Sequence, residues 1–152
     1  IITGLVGSEM CIRDSINSNR LLLLGRSLGP EKMRRITDAV RADPVVEEVY
    51  RAKSEELGPG TYRFVAEIEF SGTRVVERYV DQGDGAKREQ LHGVFRSAVE
   101  EGNGSGDPRA LDAALKLYGE EVVTAVGDEV DRIEKAIVRV EPTIHYVDLE
   151  TN

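Results

Sequence analysis

From Thr61 to Phe70 the side chains alternate without a break. Tyr62, Phe64, Ala66, Ile68 and Phe70 fall on one side, and Thr61, Arg63, Val65, Glu67 and Glu69 on the other. Successive side chains of a strand point to opposite faces, so this run predicts a strand with one apolar and one largely charged face. Such a strand belongs to a sheet covered on one side only. Whatever covers it must present apolar helical stripes, and the sequence offers several. Pro30 and Glu31 suit a helix start, Met33, Ile36 and Val40 recur at helical spacing, and Asp43-Pro44 ends that helix near residue 42. Leu91, Val94, Phe95, Ala98 and Val99 fill one face of a helix over 86–101. Val123, Val126, Val130, Ile133, Ile137 and Val140 form a heptad-like seam on a helix over 120–141, which Pro142 closes.

The remaining segments complete an order. Val45 to Ser54 predicts a strand, and Leu57-Gly58-Pro59-Gly60 a turn. Thr73 to Val80 is β-branched enough for a third strand. Asp107-Pro108 opens a helix carrying Leu111, Ala114, Leu115 and Tyr118, and Gly119 either caps it or sits inside a longer one. Thr143 to Glu150 predicts a final strand, with His145, Val147 and Leu149 on one face and Ile144, Tyr146 and Asp148 on the other. A strand apolar on both faces must be buried on both, which a two-layer sandwich alone cannot do, so a second subunit is expected to cover it. The order α-β-β(β)-α-β, with a helical insertion at about 84–120, predicts an α+β, ferredoxin-like two-layer sandwich over 30–152.

Several functions are disfavoured by the residues themselves. Acidic side chains outnumber basic ones 28 to 20, for a net charge of −8, and there are three Phe, five Tyr and no Trp. Neither the charge nor the stacking surface of a nucleic-acid binder is present. The lone cysteine, Cys11, has no disulfide partner. Gly102-x-Gly104-x-Gly106 follows a helix rather than a strand and precedes no Lys-Ser/Thr pair, so it reads as a surface linker, not a phosphate cradle. The adjacent pairs Glu47/Glu48, Glu55/Glu56, Glu100/Glu101 and Glu120/Glu121 read as solvated faces rather than acid–base pairs. His92 reads as a helix-surface histidine. His145 and Asp148 are the one acid–imidazole pair close in sequence, but they point to opposite faces of a regular strand. They could serve a metal only at the strand end or between subunits.

Residues 1–15 show neither period, and Leu5 to Ser15 resembles a translated adaptor, so a non-native or disordered leader is expected there. In the linker 16–29, Leu21 to Leu24 lie between Arg20 and Arg26. Four leucines are too few to span a bilayer, and the run fits either a short buried element or the exit of a membrane helix.

Several of these stretches together resemble a known family. The run Asn19 to Ser27 ahead of a helix, then Asp43-Pro44-Val45, Val130 to Lys135 and His145 to Glu150, resembles the soluble C-terminal domain of cation diffusion facilitator transporters. The resemblance covers about 16–152. It implies a metallochaperone-like sandwich that dimerises, attached to a membrane through helices upstream of this sequence. It also implies zinc as the transported ion of the full-length protein, exchanged for protons across a membrane, no cofactor required by this domain, and a mitochondrial location. Family members that bind zinc in this domain use positions matching Tyr50, Gly127 and Tyr146, none of which is a usual ligand here. Asp148, with His145 displaced by one residue, is what remains of a candidate metal site. Two other readings stand beside this one: an acidic protein-interaction or co-regulator module, and a small acylphosphatase-like enzyme, for which the sequence offers no arginine cradle.

Overall fold

The computed structural model describes residues 26–100 and 108–151. The leader, the leucine run and the Gly102–Gly106 linker lie outside the described residues. In chain order the elements are α1 (Pro30–Arg41), β1 (Val46–Gly58), β2 (Thr61–Phe70), α2 (Gly72–Val80), α3 (Ala86–Glu100), α4 (Pro108–Val140) and β3 (Ile144–Thr151). The sheet order is β1-β2-β3, with β1 antiparallel and β3 parallel to β2. A parallel neighbour requires a long crossover, which the three helices between β2 and β3 supply.

The alternating strand is central, as its pattern demands. Phe64, Ala66 and Ile68 are buried, and Ile36 and Val40 of α1 and Ile133 and Ile137 of α4 belong to the same core. Pro59 and Gly60 make the two-residue turn into β2, with Gly60 at φ +73, where a side chain would be strained. Halfway along β1 the register slips between Tyr50 and Lys53, and Arg51 sits at φ +47. This bulge bends the longest strand of the sheet.

Three expectations change. Thr73–Val80 is helix, not a third strand. As a strand it would put Arg74 and Arg78 on one face and Glu77 on the other, leaving neither face apolar. As a helix it buries Val75 and Tyr79, one turn apart, and pairs Arg74 with Glu77 on the outside at 2.9 Å. Of the two possibilities at Gly119 the longer helix is the one formed, a 33-residue α4 with Gly119 exposed in its interior. Val123, placed on the apolar seam by its spacing, is 72% exposed, because the buried stripe of α4 runs through Ala125, Glu129, Ile133 and Ile137.

The third change alters the final strand. Tyr62 pairs with Ile144 but Arg63 pairs with Tyr146, so His145 is an extra residue at a bulge. A one-residue slip exchanges faces. Ile144, Val147 and Leu149 consequently share the core side with Tyr62, Phe64 and Ala66, while Tyr146, Asp148 and Glu150 share the outer side with Arg63, Val65 and Glu67. The strand is not apolar on both faces, and the argument for a subunit covering its outer face falls with that premise.

Candidate functional site

The end of the sandwich where the chain enters is the most elaborately tied. The Arg26 backbone carbonyl accepts a hydrogen bond from the Glu56 N–H at 2.8 Å, and the Leu28 N–H donates to Ser54 Oγ at 2.9 Å, with Ser27 Oγ 3.0 Å from the same hydroxyl. Ser54 is a polar residue buried in β1, and Leu28 is buried beside it. The period-2 pattern of β1 alone gave no reason for a serine facing the core; its partner lies 26 residues earlier. One turn away, the buried Glu141 takes Lys32 Nζ at 3.1 Å and the Thr143 hydroxyl at 2.7 Å. The Thr143 hydroxyl, followed by Lys32, holds the Glu141 carboxyl below its ordinary range against the opposing effect of burial. Arg35 donates to the Val140 carbonyl at 2.9 Å. The entering chain, the start of α1 and the end of α4 thus form one clamped unit.

Ser54→Ala should strand the buried Leu28 N–H, a loss of about 1–3 kcal/mol. Hydrogen exchange at the Leu28 amide should speed up by about tenfold or more while amides of β2 change little. An unchanged Leu28 amide would show that the hydroxyl does not hold the entering chain.

A second cluster closes the insertion onto the body. The Tyr79 hydroxyl donates to Glu121, Lys87 Nζ donates to the other oxygen of Glu121 at 2.9 Å, and Lys87 lies 5.2 Å from the centroid of the Tyr79 ring. A cleft of about 490 Å³ opens beside them, lined also by Gln82, Gln90 and Asp128. Burial, then the bond to Glu121, pushes the Tyr79 hydroxyl up; the bonds from Tyr79 and Lys87 push the Glu121 carboxyl down; the bonds to Tyr79 and Glu121 push Lys87 up. All three move away from neutral pH, so none is poised to exchange protons there. The trio acts as a clasp between α2, α3 and α4.

The residues singled out as metal candidates are dispersed in use. Asp148 is ion-paired with Arg63 on the outer sheet face. His145, at the bulge, borders a shallow cavity of about 410 Å³ with Glu134, Lys135, Val138, Arg139 and Val147. Burial, then the charges of Asp131 and Asp148, pushes the Glu134 carboxyl up. Tyr50 donates its hydroxyl to Glu69 at 2.9 Å, Tyr146 is 58% exposed, and Gly127 lies on the exposed side of α4. Among the described residues no three His, Cys, Asp or Glu side chains converge as a metal-binding group. No helix among them is long and apolar enough to cross a membrane.

A three-stranded mixed sheet with helices on one face is an α+β sandwich of the ferredoxin-like type, and the relatives of this chain are members of the cation diffusion facilitator family, matched over their C-terminal portion. Its sequence is 42% identical over 137 residues to metal tolerance protein C4 of Arabidopsis thaliana, covering 90% of this chain and 28% of that protein. It is 34% identical over 135 residues to the mitochondrial proton-coupled zinc antiporter SLC30A9 of Mus musculus, and 33% identical to that of Homo sapiens, covering 89% of this chain and 22% of each antiporter. The chain thus spans about a quarter of the length of these relatives, matching their C-terminal portion. No family model matches the sequence.

Proposed function

We propose that this chain is the dimerising, regulatory C-terminal domain of a zinc–proton antiporter of a mitochondrial membrane, and performs no catalysis of its own. The identity to metal tolerance protein C4 and to SLC30A9 over nine-tenths of the chain carries this reading. The clamp of Arg26–Leu28 onto β1 supports it, because a rigid entry lets a membrane segment upstream of residue 26 transmit its orientation to the sheet. Zinc is the cargo of the intact protein and passes through residues outside this chain. The test is zinc–proton exchange by the intact protein reconstituted in vesicles. Zinc counterflow driven by a proton gradient is the expected result; a sealed, folded protein that moves no zinc would overturn the reading.

The domain is proposed to work without resident zinc. Asp148 is engaged by Arg63, and Tyr50, Gly127 and Tyr146 offer no usual ligand set. Dialysed protein should therefore contain far less than one zinc per chain by elemental analysis. Retention of one zinc, lost on Asp148→Ala or His145→Ala, would restore these two residues as a metal site.

A further inference from the structure

We infer that the cavity between the last turns of α4 and the start of β3 is a site for a small zwitterion, a phosphate ester that carries a primary ammonium group. Lys135, Arg139 and His145 hold the phosphate there, and Glu134 the ammonium. The cavity, of about 410 Å³, is within the range that small ligands occupy. Its α4 side consists of two columns, Glu134 one turn from Val138 and Lys135 one turn from Arg139. From β3 come Val147 and His145, the extra residue of the bulge. β3 is an edge strand, paired with β2 and with no other strand among the described residues, which leaves its flank accessible. Val138 and Val147 supply apolar surface for the methylenes of such a ligand.

The cations of this lining are free to take a guest. Arg35, not Arg139, takes the last carbonyl of α4, that of Val140, at 2.9 Å, and Arg139 has no ion pair or hydrogen bond with another described residue. Lys135 is 3.6 Å from Asp131, but both side chains are about two-thirds exposed, and such pairs contribute little. A lysine and an arginine one turn apart offer several N–H donors to phosphate oxygens, and His145 adds one in either protonation state. A simple anion is the wrong guest, because Glu134 stands in the same cavity. Burial, then the charges of Asp131 and Asp148, pushes its carboxyl up, and only the charge of Lys135 opposes them. A half-buried carboxylate short of a cation is matched by an ammonium group, so a ligand with both charges satisfies both halves of the lining.

The cavity lies at the end of the sandwich where the chain enters. The Thr143 carbonyl, between α4 and β3, accepts the Tyr62 N–H at 2.9 Å, next to the β1–β2 turn, and the Arg26 carbonyl accepts the Glu56 N–H there. On the transporter reading a membrane lies on that side, so a phosphatidylethanolamine headgroup and free phosphoethanolamine are the two sources of this chemistry.

Amide NMR shifts of the 152-residue chain, titrated with O-phosphoethanolamine, test the site. Saturable shifts are expected at His145 and Val147, with a dissociation constant of about 1 mM. Arg139→Gln should raise that constant by about tenfold or more. Arg96→Gln, exposed on α3 and away from the cavity, should leave it unchanged. Glu134→Gln keeps the side chain's shape and should abolish the preference for phosphoethanolamine over glycerol 3-phosphate, which a purely structural role of Glu134 would not do. Vesicles separate the sources. Perturbation of the same amides by phosphatidylethanolamine vesicles, and not by phosphatidylcholine vesicles, assigns the site to a lipid headgroup; perturbation by the soluble probe alone assigns it to a free ester. No saturable shift at His145 or Val147 with either source, an equal loss in Arg96→Gln, or a preference that survives Glu134→Gln would overturn the inference. None of these outcomes depends on zinc flux, so the site and the transporter reading fail separately.

Discussion

Phe64→Ala should be among the most damaging single changes in this domain, removing about 3–5 kcal/mol of folding stability. Phe64 is fully buried at the middle of the central strand, in register with Ser54 on β1 and Val147 on β3. It shares a core with Ile36 of α1 and Ile137 of α4, so the void would open where both layers meet. Neighbours on both flanks are pinned by strand hydrogen bonds, and the space cannot close by a small shift. Against a total of about 5–15 kcal/mol for a domain, the loss should lower the urea midpoint sharply or leave the chain unfolded at 37 °C. A loss under about 1 kcal/mol would mean that the sheet and helices do not pack as described.

The second large effect is expected at Arg132. Its guanidinium donates two bonds of 2.7 Å to Asp43 and one of 2.7 Å to Glu129, and the other oxygen of Glu129 takes Arg78 at 2.8 Å. One residue thereby joins the α1–β1 corner to α4 and, through Glu129, to α2. Glu129 is buried, so Arg132→Ala leaves that carboxylate half-compensated and the Asp43 carboxylate without its bidentate partner. Breaking a buried pair costs about 3–5 kcal/mol; Arg132 is itself about a third exposed, so about 2–4 kcal/mol is expected. Arg132→Lys should recover only part of this, because an ammonium cannot reproduce the planar fork. Equal stability of the two variants would show that charge alone, not geometry, holds the corner.

The same network gives the domain an acid limit. Burial pushes the Asp43 carboxyl up, but the Arg132 bonds, the Val45 N–H and the charges of Arg132 and Arg78 outweigh it and hold Asp43 below its ordinary value. Glu141 is held down as well. A carboxyl whose folded pKa lies below its unfolded value contributes fully above the unfolded value, about 4, and loses that contribution as pH falls through the folded one. Denaturation midpoints should therefore be flat from pH 7 to about 5 and drop below pH 4. Asp43→Asn should be less stable at neutral pH and show a shallower acid drop. A parallel pH profile would remove Asp43 from the account.

What the residues determined on their own is whatever a local period can encode. The alternation at 61–70 marked the central strand, its apolar face and therefore a sheet covered on one side. Pro30 and Pro142 bounded α1 and α4, the Pro59-Gly60 pair made the turn, and the stretches at both ends of the domain carried the family resemblance. Where the local signals were balanced, packing decided. Thr73–Val80 has β-branched residues for a strand and a Val75/Tyr79 spacing for a helix, and only the helix segregates its charges while burying Tyr79 against α4. A single inserted residue at His145 turned Tyr146 outward and Val147 inward, a change that no composition reveals because it arises from pairing with β2. The clamp sites were invisible for a related reason. Ser54 and Leu28, or Asp43 and Arg132, are far apart in the chain, and their hydrogen bonds exist only because the tertiary structure brings complementary groups together and removes the water that would otherwise satisfy them.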